Sequence, residues 1–320
     1  MTRREPGFRR PAFAVVLFAV MIAAGGAVAA DWVERPYNPP VGSRWIIQRD
    51  LFSEQNDDGA ISKKTFKITS DLKIVGKDAT GFTAIYARRA SSYDNDDKDT
   101  EAMERPALAA LQGIEYHIAM DPAGKPLRVD NLVDVKAALR NMVDKITTTD
   151  KDPKTAAVLQ QILSPMLDID EKRAAELYMD QLPNLALAQN TGLKPGDTRR
   201  ESIEQPNPMG KLVINRGMTI KEADPASGDV TYVLTESYDP ASMRAFQLQV
   251  LEHMRKQGID VGEPEKTINE MELSLDNRTE FKVVDGMTRS TIEDSTMIAN
   301  LTGTRRVIKS RKVVTVTPAP

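Results

Sequence analysis

The chain has 320 residues, a formal net charge of −3 and no cysteine. The missing thiols exclude disulfide staples, thiolate metal sites and cysteine nucleophiles, so the fold must rest on its own core. The mildly acidic balance excludes the clustered basic field that nucleic-acid backbones require.

The first ten residues carry Arg3, Arg4, Arg9 and Arg10 against one acid, Glu5. An apolar stretch follows from Pro11 to Ala24, and small residues close it at Gly25–Ala30. Positive, apolar and small segments in that order are those of a secretory signal peptide. Ala27-Val28-Ala29 is an A-x-A cleavage pattern, and cleavage is expected after Ala29 or Ala30. An uncleaved anchor is the alternative, but the apolar run reaches the roughly 20 residues of a membrane span only by counting the small residues. Arg9-Arg10 followed by Pro11-Ala12-Phe13 matches a twin-arginine signal poorly, and no cysteine stands at the exit for lipidation. The remaining 290 residues carry a formal charge of −6 and contain no later apolar run long enough to span a membrane. A periplasmic or secreted protein is expected.

Residues 31–43, with Pro36, Pro39 and Pro40, read as an extended lead-in. Arg44–Leu51 reads as a strand, Gln55–Gly59 as a turn, and Ser62–Val75 as a strand with Phe66, Ile68, Leu72 and Ile74 on one parity. Lys77–Gly81 turns the chain into Phe82–Ala90, and Asp94–Glu104 is expected to be an acidic loop. Ile114–Met120 alternates, and Asp121–Gly124 turns into Leu127–Val129. The period then becomes helical through Leu132, Val135, Leu139, Met142, Val143 and Ile146. Further helical segments are expected near 153–164 and 170–180. Strands resume near 198–205, 211–221 and 229–238. Asp239-Pro240-Ala241 opens a helix through Met243, Phe246, Val250, Leu251 and Met254 that stops at Gly258. Strands are expected at 268–284, 287–298 and 303–316, ahead of a frayed 318–320.

The expected fold class is α+β: long, curved antiparallel sheet with a pseudo-repeat of two β lobes, 31–130 and 191–317. A helical insert at 131–190 and a helix at 240–257 pack on the sheet. Whether the lobes form one sheet or two stays open. The repeat rests on shared turn chemistry at Asp78–Gly81, Asp224–Gly228 and Asp285-Gly286, and on Val41–Trp45 and Lys194–Thr198 opening the two halves.

No catalytic, cofactor or metal site emerges. His117 lies on the polar parity of its strand, and His253 has no second histidine at helical spacing. Asp94–Glu101 is acidic, but Lys98 and Asp99 interrupt a calcium-loop register. Ser70-Asp71-Leu72-Lys73 matches S-x-x-K, which needs a helix start and here falls inside a strand. Met120, Met142, Met166, Met179, Met243 and Met254 suit either core filling or an adaptable apolar cavity.

The opening Val41–Trp45, the helical insert and Gly192–Asp197 together resemble uncharacterised exported bacterial β-rich proteins. More distantly the arrangement is similar to the periplasmic lipoprotein carriers, whose antiparallel half-barrel wraps over helices. The resemblance covers architecture and implies no functional residue. It implies a non-enzymatic binding or carrier module for a lipid or other hydrophobic ligand. An envelope interaction protein and a carboxylate-based hydrolase are the alternatives. No nucleic acid, cofactor or stable membrane span is expected.

Overall fold

A computed structural model describes residues 34–149, 167–179, 181–207, 210–224, 226–256, 258, 267–268, 271–301 and 304–320. The expected export signal and the helix expected near 153–164 lie outside these residues.

Five strands come first: β1 (Arg44–Asp57), β2 (Ala60–Asp78), β3 (Gly81–Asn95), β4 (Glu115–Met120) and β5 (Pro126–Val129), with α1 (Lys98–Ala110) between β3 and β4. The insert holds α2 (Leu132–Thr149), α3 (Glu171–Tyr178) and α4 (Gln181–Ala186). Six strands complete the chain: β6 (Thr198–Asn207), β7 (Gly210–Ala223), β8 (Val230–Tyr238), β9 (Glu272–Val284), β10 (Met287–Leu301) and β11 (Thr304–Pro318), with α5 (Pro240–Lys256) between β8 and β9.

All eleven strands form one open antiparallel sheet in the order β5-β4-β3-β2-β1-β11-β10-β9-β8-β7-β6. The two β halves are thus joined at the centre, where β1 pairs with β11 from Trp45 opposite Pro318 to Asp57 opposite Arg306. Because β5 and β6 are opposite edges, the chain between them must cross the sheet. Neighbouring strands lie about 4.8 Å apart, so ten spacings are roughly 48 Å. The helical insert makes this crossing on one face, called the inner face below.

Its first helices pack against Trp45, Ile47, Leu72, Ile74, Tyr86, Tyr116 and Val316 through Leu132, Val135, Leu139, Tyr178, Met179 and Leu182. Ala188 and Leu193 then bury against Met218, Tyr232, Leu234 and Phe281. Side chains of one strand parity face these helices and the other parity faces away. Register shifts interrupt the ladders at Thr69/Ser70, Ile74/Gly76, Ile220/Glu222 and Thr288/Ser290. Such bulges increase local twist and let a wide sheet bend over its helices.

Turn chemistry acts as the sequence suggests. Asp58 and Asp285 have positive φ, 49° and 53°, and each precedes a glycine at φ 96° or 73°. These are the two-residue turns whose twist matches that of paired strands. Asp78 and Asp224 each accept from the backbone N–H two residues on, at 2.7 and 2.9 Å.

The acidic segment beginning at Asp94 corrects one expectation: instead of looping through Glu104, it starts α1. Asp97 Oδ1 accepts from the backbone N–H groups of Asp99 and Thr100, each at 3.1 Å, and Asp97 Oδ2 accepts from the Thr100 hydroxyl at 2.7 Å. That is an N-cap, which satisfies otherwise orphaned donors of the first turn. Asp239 caps α5 similarly, accepting from Ser242 N at 2.8 Å, with Pro240 at the first helical position. Gly258, at φ 78°, follows the end of α5 and donates to Arg255 O.

Candidate functional site

The inner face is not uniformly apolar. Following the register of pairing, one continuous row of inner-facing residues runs Asn95, Lys64, Ser53, Ser310, Ser295, Asn277, Glu236, Arg216, Glu201. It crosses nine strands, from β3 to β6, without one apolar member. A row of this kind is set by the two-residue side-chain period together with the register.

Apolar residues flank the row on both sides. Toward the insert the next inner-facing row runs Phe66, Leu51, Lys312, Glu293, Thr279, Leu234 and Met218, apolar at its two ends and polar at its centre, and beyond it lies the main core. On the far side Ile308 pairs with Met297, and Met297 with Leu275. Met243 and Phe246 of α5 pack there on Leu212. The polar row therefore lies between the main core on the insert side and a smaller apolar zone on the far side.

Its charges are held in pairs. Arg216 lies between Glu236, at 2.6 Å, and Glu201, at 3.4 Å, with the Arg216 and Glu236 side chains only 14% and 12% exposed. Glu236 Oε2 also accepts from Asn277 Nδ2 at 2.9 Å. One row nearer the insert, Lys312 and Glu293 form an ion pair, 18% and 16% exposed. Charges withdrawn this far from water persist when paired and hydrogen-bonded, because desolvating an isolated ion costs several kcal/mol. Arg49 stacks its guanidinium 5.1 Å from the Phe66 ring centroid, and Arg289 lies 4.1 Å over Trp45.

At the centre of the sheet, Leu51, Gln55, Ile308, Ser310, Ser295 and Met297 are half-buried, whereas Ser53 beside them is buried. To one side α5 covers the ends of β7 and β9. On the other, Arg105 of α1 donates to Tyr93 O, and Asn95 donates to the Tyr93 hydroxyl at 2.8 Å. The floor between them is an amphipathic trough of one polar row bordered by Leu51, Lys312 and Glu293 on one side and by Ile308 and Met297 on the other. A separate cleft of about 560 Å³ opens where α2 meets the start of β4, with Ile114, Val135 and Met142 as its apolar wall and Glu115 and Asp134 also lining it.

His117 is exposed on β4, pointing away from the side on which Tyr116 and Ile118 are buried, and its backbone N–H donates to Asn131 Oδ1 at 2.8 Å. His253 is exposed on α5. The two histidines stand on separate elements, β4 and α5. Ser70 is buried and accepts from the Tyr86 hydroxyl at 2.9 Å, while Lys73 is exposed on the opposite strand parity, so S-x-x-K is not a catalytic pair. Among the described residues no group of three or more His, Cys, Asp or Glu side chains could hold a metal ion. No helix of the described residues is long and apolar enough to cross a membrane. Met120 and Met179 are core residues, Met243 of α5 packs on Leu212, Met254 packs by Leu251 and Ile268, and Met142 lines the cleft, while Met166 lies outside the described residues.

Sequence reasoning missed the polar row. Its only local signal is a break in alternation, where Ser53, Asn277 and Arg216 occupy the parity that is apolar elsewhere in their strands. Nothing local shows that these breaks line up across strands.

No protein-family model matches the chain, and no curated protein matches it. Among solved structures the chain is similar to lipovitellin, described for its lipid–protein interactions, at 9% identity and TM-score 0.43. That match covers 88% of this chain and 26% of lipovitellin, so the chain spans about a quarter of the lipovitellin length. An outer membrane channel from Pseudomonas putida F1 matches at 8% identity and TM-score 0.19, covering 90% of this chain and 100% of that one. The attachment invasion locus protein Ail of Yersinia pestis matches at 4% identity and TM-score 0.12, covering 86% and 99%. Likenesses at these scores carry no argument about function.

Proposed function

We propose that the chain is an exported, non-enzymatic binding or carrier module for an amphipathic, lipid-like ligand, and that the trough on the inner face is its binding surface. The observation that supports this is the polar row between two apolar zones. A purely structural inner face gains more from apolar filling than from paired charges, because replacing a buried ion pair by packed hydrophobic groups is often neutral or stabilising. A polar row with apolar neighbours instead suits a ligand that has both characters. The order of charge, apolar run and small residues before Asp31 supports export to the periplasm or beyond.

Native mass spectrometry of the protein purified from the cell envelope tests this reading. A reproducible adduct of lipid mass is expected, and it should be lost when Ile308 and Met297 are both replaced by Glu. An adduct-free mass, together with no retention of any lipid from an added extract, removes the carrier reading.

A second reading, an envelope interaction protein, is favoured by the edge strand β6. It runs for ten residues with one side paired to β7 and the other at the sheet edge. Such an edge can add an extended segment of a partner chain.

A further inference from the structure

The trough also indicates the kind of headgroup it would hold. This inference rests on the binding reading above and deepens it. The cations that border the floor are already engaged: Arg216 by Glu236 and Glu201, Lys312 by Glu293, and Arg306 by Asp57 through contacts of 2.7 and 3.0 Å, while Lys64, beside Ser53 in the row, is not free either. An anionic headgroup would have to compete with these carboxylates, and a cationic one with the guanidinium and ammonium groups. The stretch of the polar row between them is uncharged, running Ser53, Ser310, Ser295, Asn277 across β1, β11, β10 and β9.

Asn277 adds an independent observation. The residue is 3% exposed and its Nδ2 is committed to Glu236, but its Oδ1 has no hydrogen-bond partner among the described residues. Turning the amide over would set Oδ1 against the Glu236 carboxylate, so the orientation is fixed by chemistry. A buried acceptor without a donor costs about 1–3 kcal/mol, and only a group carrying O–H or N–H relieves it. A carboxylate or an ester headgroup has none to give.

We propose that Ser53, Ser310, Ser295 and Asn277 form a headgroup subsite for a neutral, hydroxyl-bearing amphiphile of the glycerol or sugar type. The serine hydroxyls donate to and accept from the headgroup, and a headgroup hydroxyl seated beside Ser295 gives Asn277 Oδ1 its missing donor. The acyl chain lies along Ile308 and Met297, on the side of the row away from the insert.

Equilibrium dialysis of the mature protein against three probes with the same chain decides this: 1-monodecanoylglycerol, methyl decanoate and decanoate. The glycerol ester should bind about tenfold more tightly than either of the others, the worth of one net hydrogen bond. In Ser295→Ala with Ser310→Ala that preference should vanish while methyl decanoate binding is unchanged. Asn277→Leu should act likewise; if circular dichroism shows that it does not fold, the serine pair carries the test. Equal binding of the glycerol and methyl esters by the wild type, or a preference for decanoate, overturns the headgroup assignment and leaves the carrier reading intact. If no probe binds, the carrier reading falls, and this one with it.

Discussion

Glu34 and Tyr232, 198 positions apart in sequence, share a hydrogen bond of 2.9 Å at the insert side of the sheet. The same carboxylate accepts from the backbone N–H groups of Thr191, at 2.9 Å, and Gly192, at 2.7 Å. The lead-in is thereby fastened to the end of the insert, where Tyr37 N also donates to Asn190 Oδ1. Burial, more than its hydrogen bonds, pushes the Tyr232 hydroxyl well above its usual titration range, so it stays a donor throughout the physiological range. Replacing Glu34 by Ala should cost about 2 kcal/mol, the penalty for orphaning buried donors of a charge-assisted group. Thermal unfolding followed by circular dichroism should show the midpoint falling by roughly 4–8 °C. An unchanged midpoint would show that the lead-in contributes nothing to the fold.

Gly286 faces the same lead-in. A Cβ there would stand 2.3 Å from Pro36 O and 2.6 Å from Arg35 O, and φ is 73°. Gly59, at φ 96° in the β1–β2 turn, would meet nothing within 4 Å. Gly59→Ala should therefore cost only the left-handed backbone penalty, about 1 kcal/mol. Gly286→Ala should cost about 3 kcal/mol or displace residues 35–36. Urea midpoints of the two variants compare them directly, and equal losses would mean that the close approach is not enforced.

Arg216 holds two carboxylates on the inner face. Arg216→Met should leave Glu236 and Glu201 facing each other without a counter-ion, a loss of about 3 kcal/mol. Adding Glu236→Gln to that variant should recover part of the loss, because it removes one uncompensated charge. Chemical denaturation at constant slope measures both. If the single and double variants are equally unstable, the pair is not coupled.

Asp57, on β1, is held below the usual carboxylate range chiefly by its hydrogen bond from Arg306 on β11. A carboxyl with a lowered folded value takes up a proton less readily than in the unfolded chain. Its contribution is complete above the unfolded value near 4 and disappears as pH falls through the folded value. Wild-type stability should therefore drop on acidification below pH 4 more steeply than that of Asp57→Asn. Both side chains are about one third exposed, 36% and 31%, so concentrated salt should shrink the difference. Parallel pH profiles would show that the β1–β11 pair does not depend on this charge.

Much of the chain was legible locally. The apolar parity of β2 and the helical spacing of α2 follow from side-chain geometry, and the turns at Asp58-Gly59 and Asp285-Gly286 need residues that tolerate positive φ. α1 was not legible, because the density of acids argued for a loop while the decisive contact, Asp97 capping Thr100, is a matter of three-dimensional hydrogen bonding. The candidate site was illegible for a different reason. Ser53 and Asn277 each look like a local polar interruption in a parity that is otherwise largely apolar.

The sequence by itself determined most element types, the turns and the absence of cysteine, all properties of residues within a few positions of one another. Only the tertiary structure decided that β1 pairs with β11, so that two β halves become one sheet whose edges are β5 and β6. That pairing sets the register of the nine strands that align Asn95 through Glu201. The physical reason is that strand period is intrinsic to the chain, whereas register between strands far apart in sequence depends on which inner faces bury together.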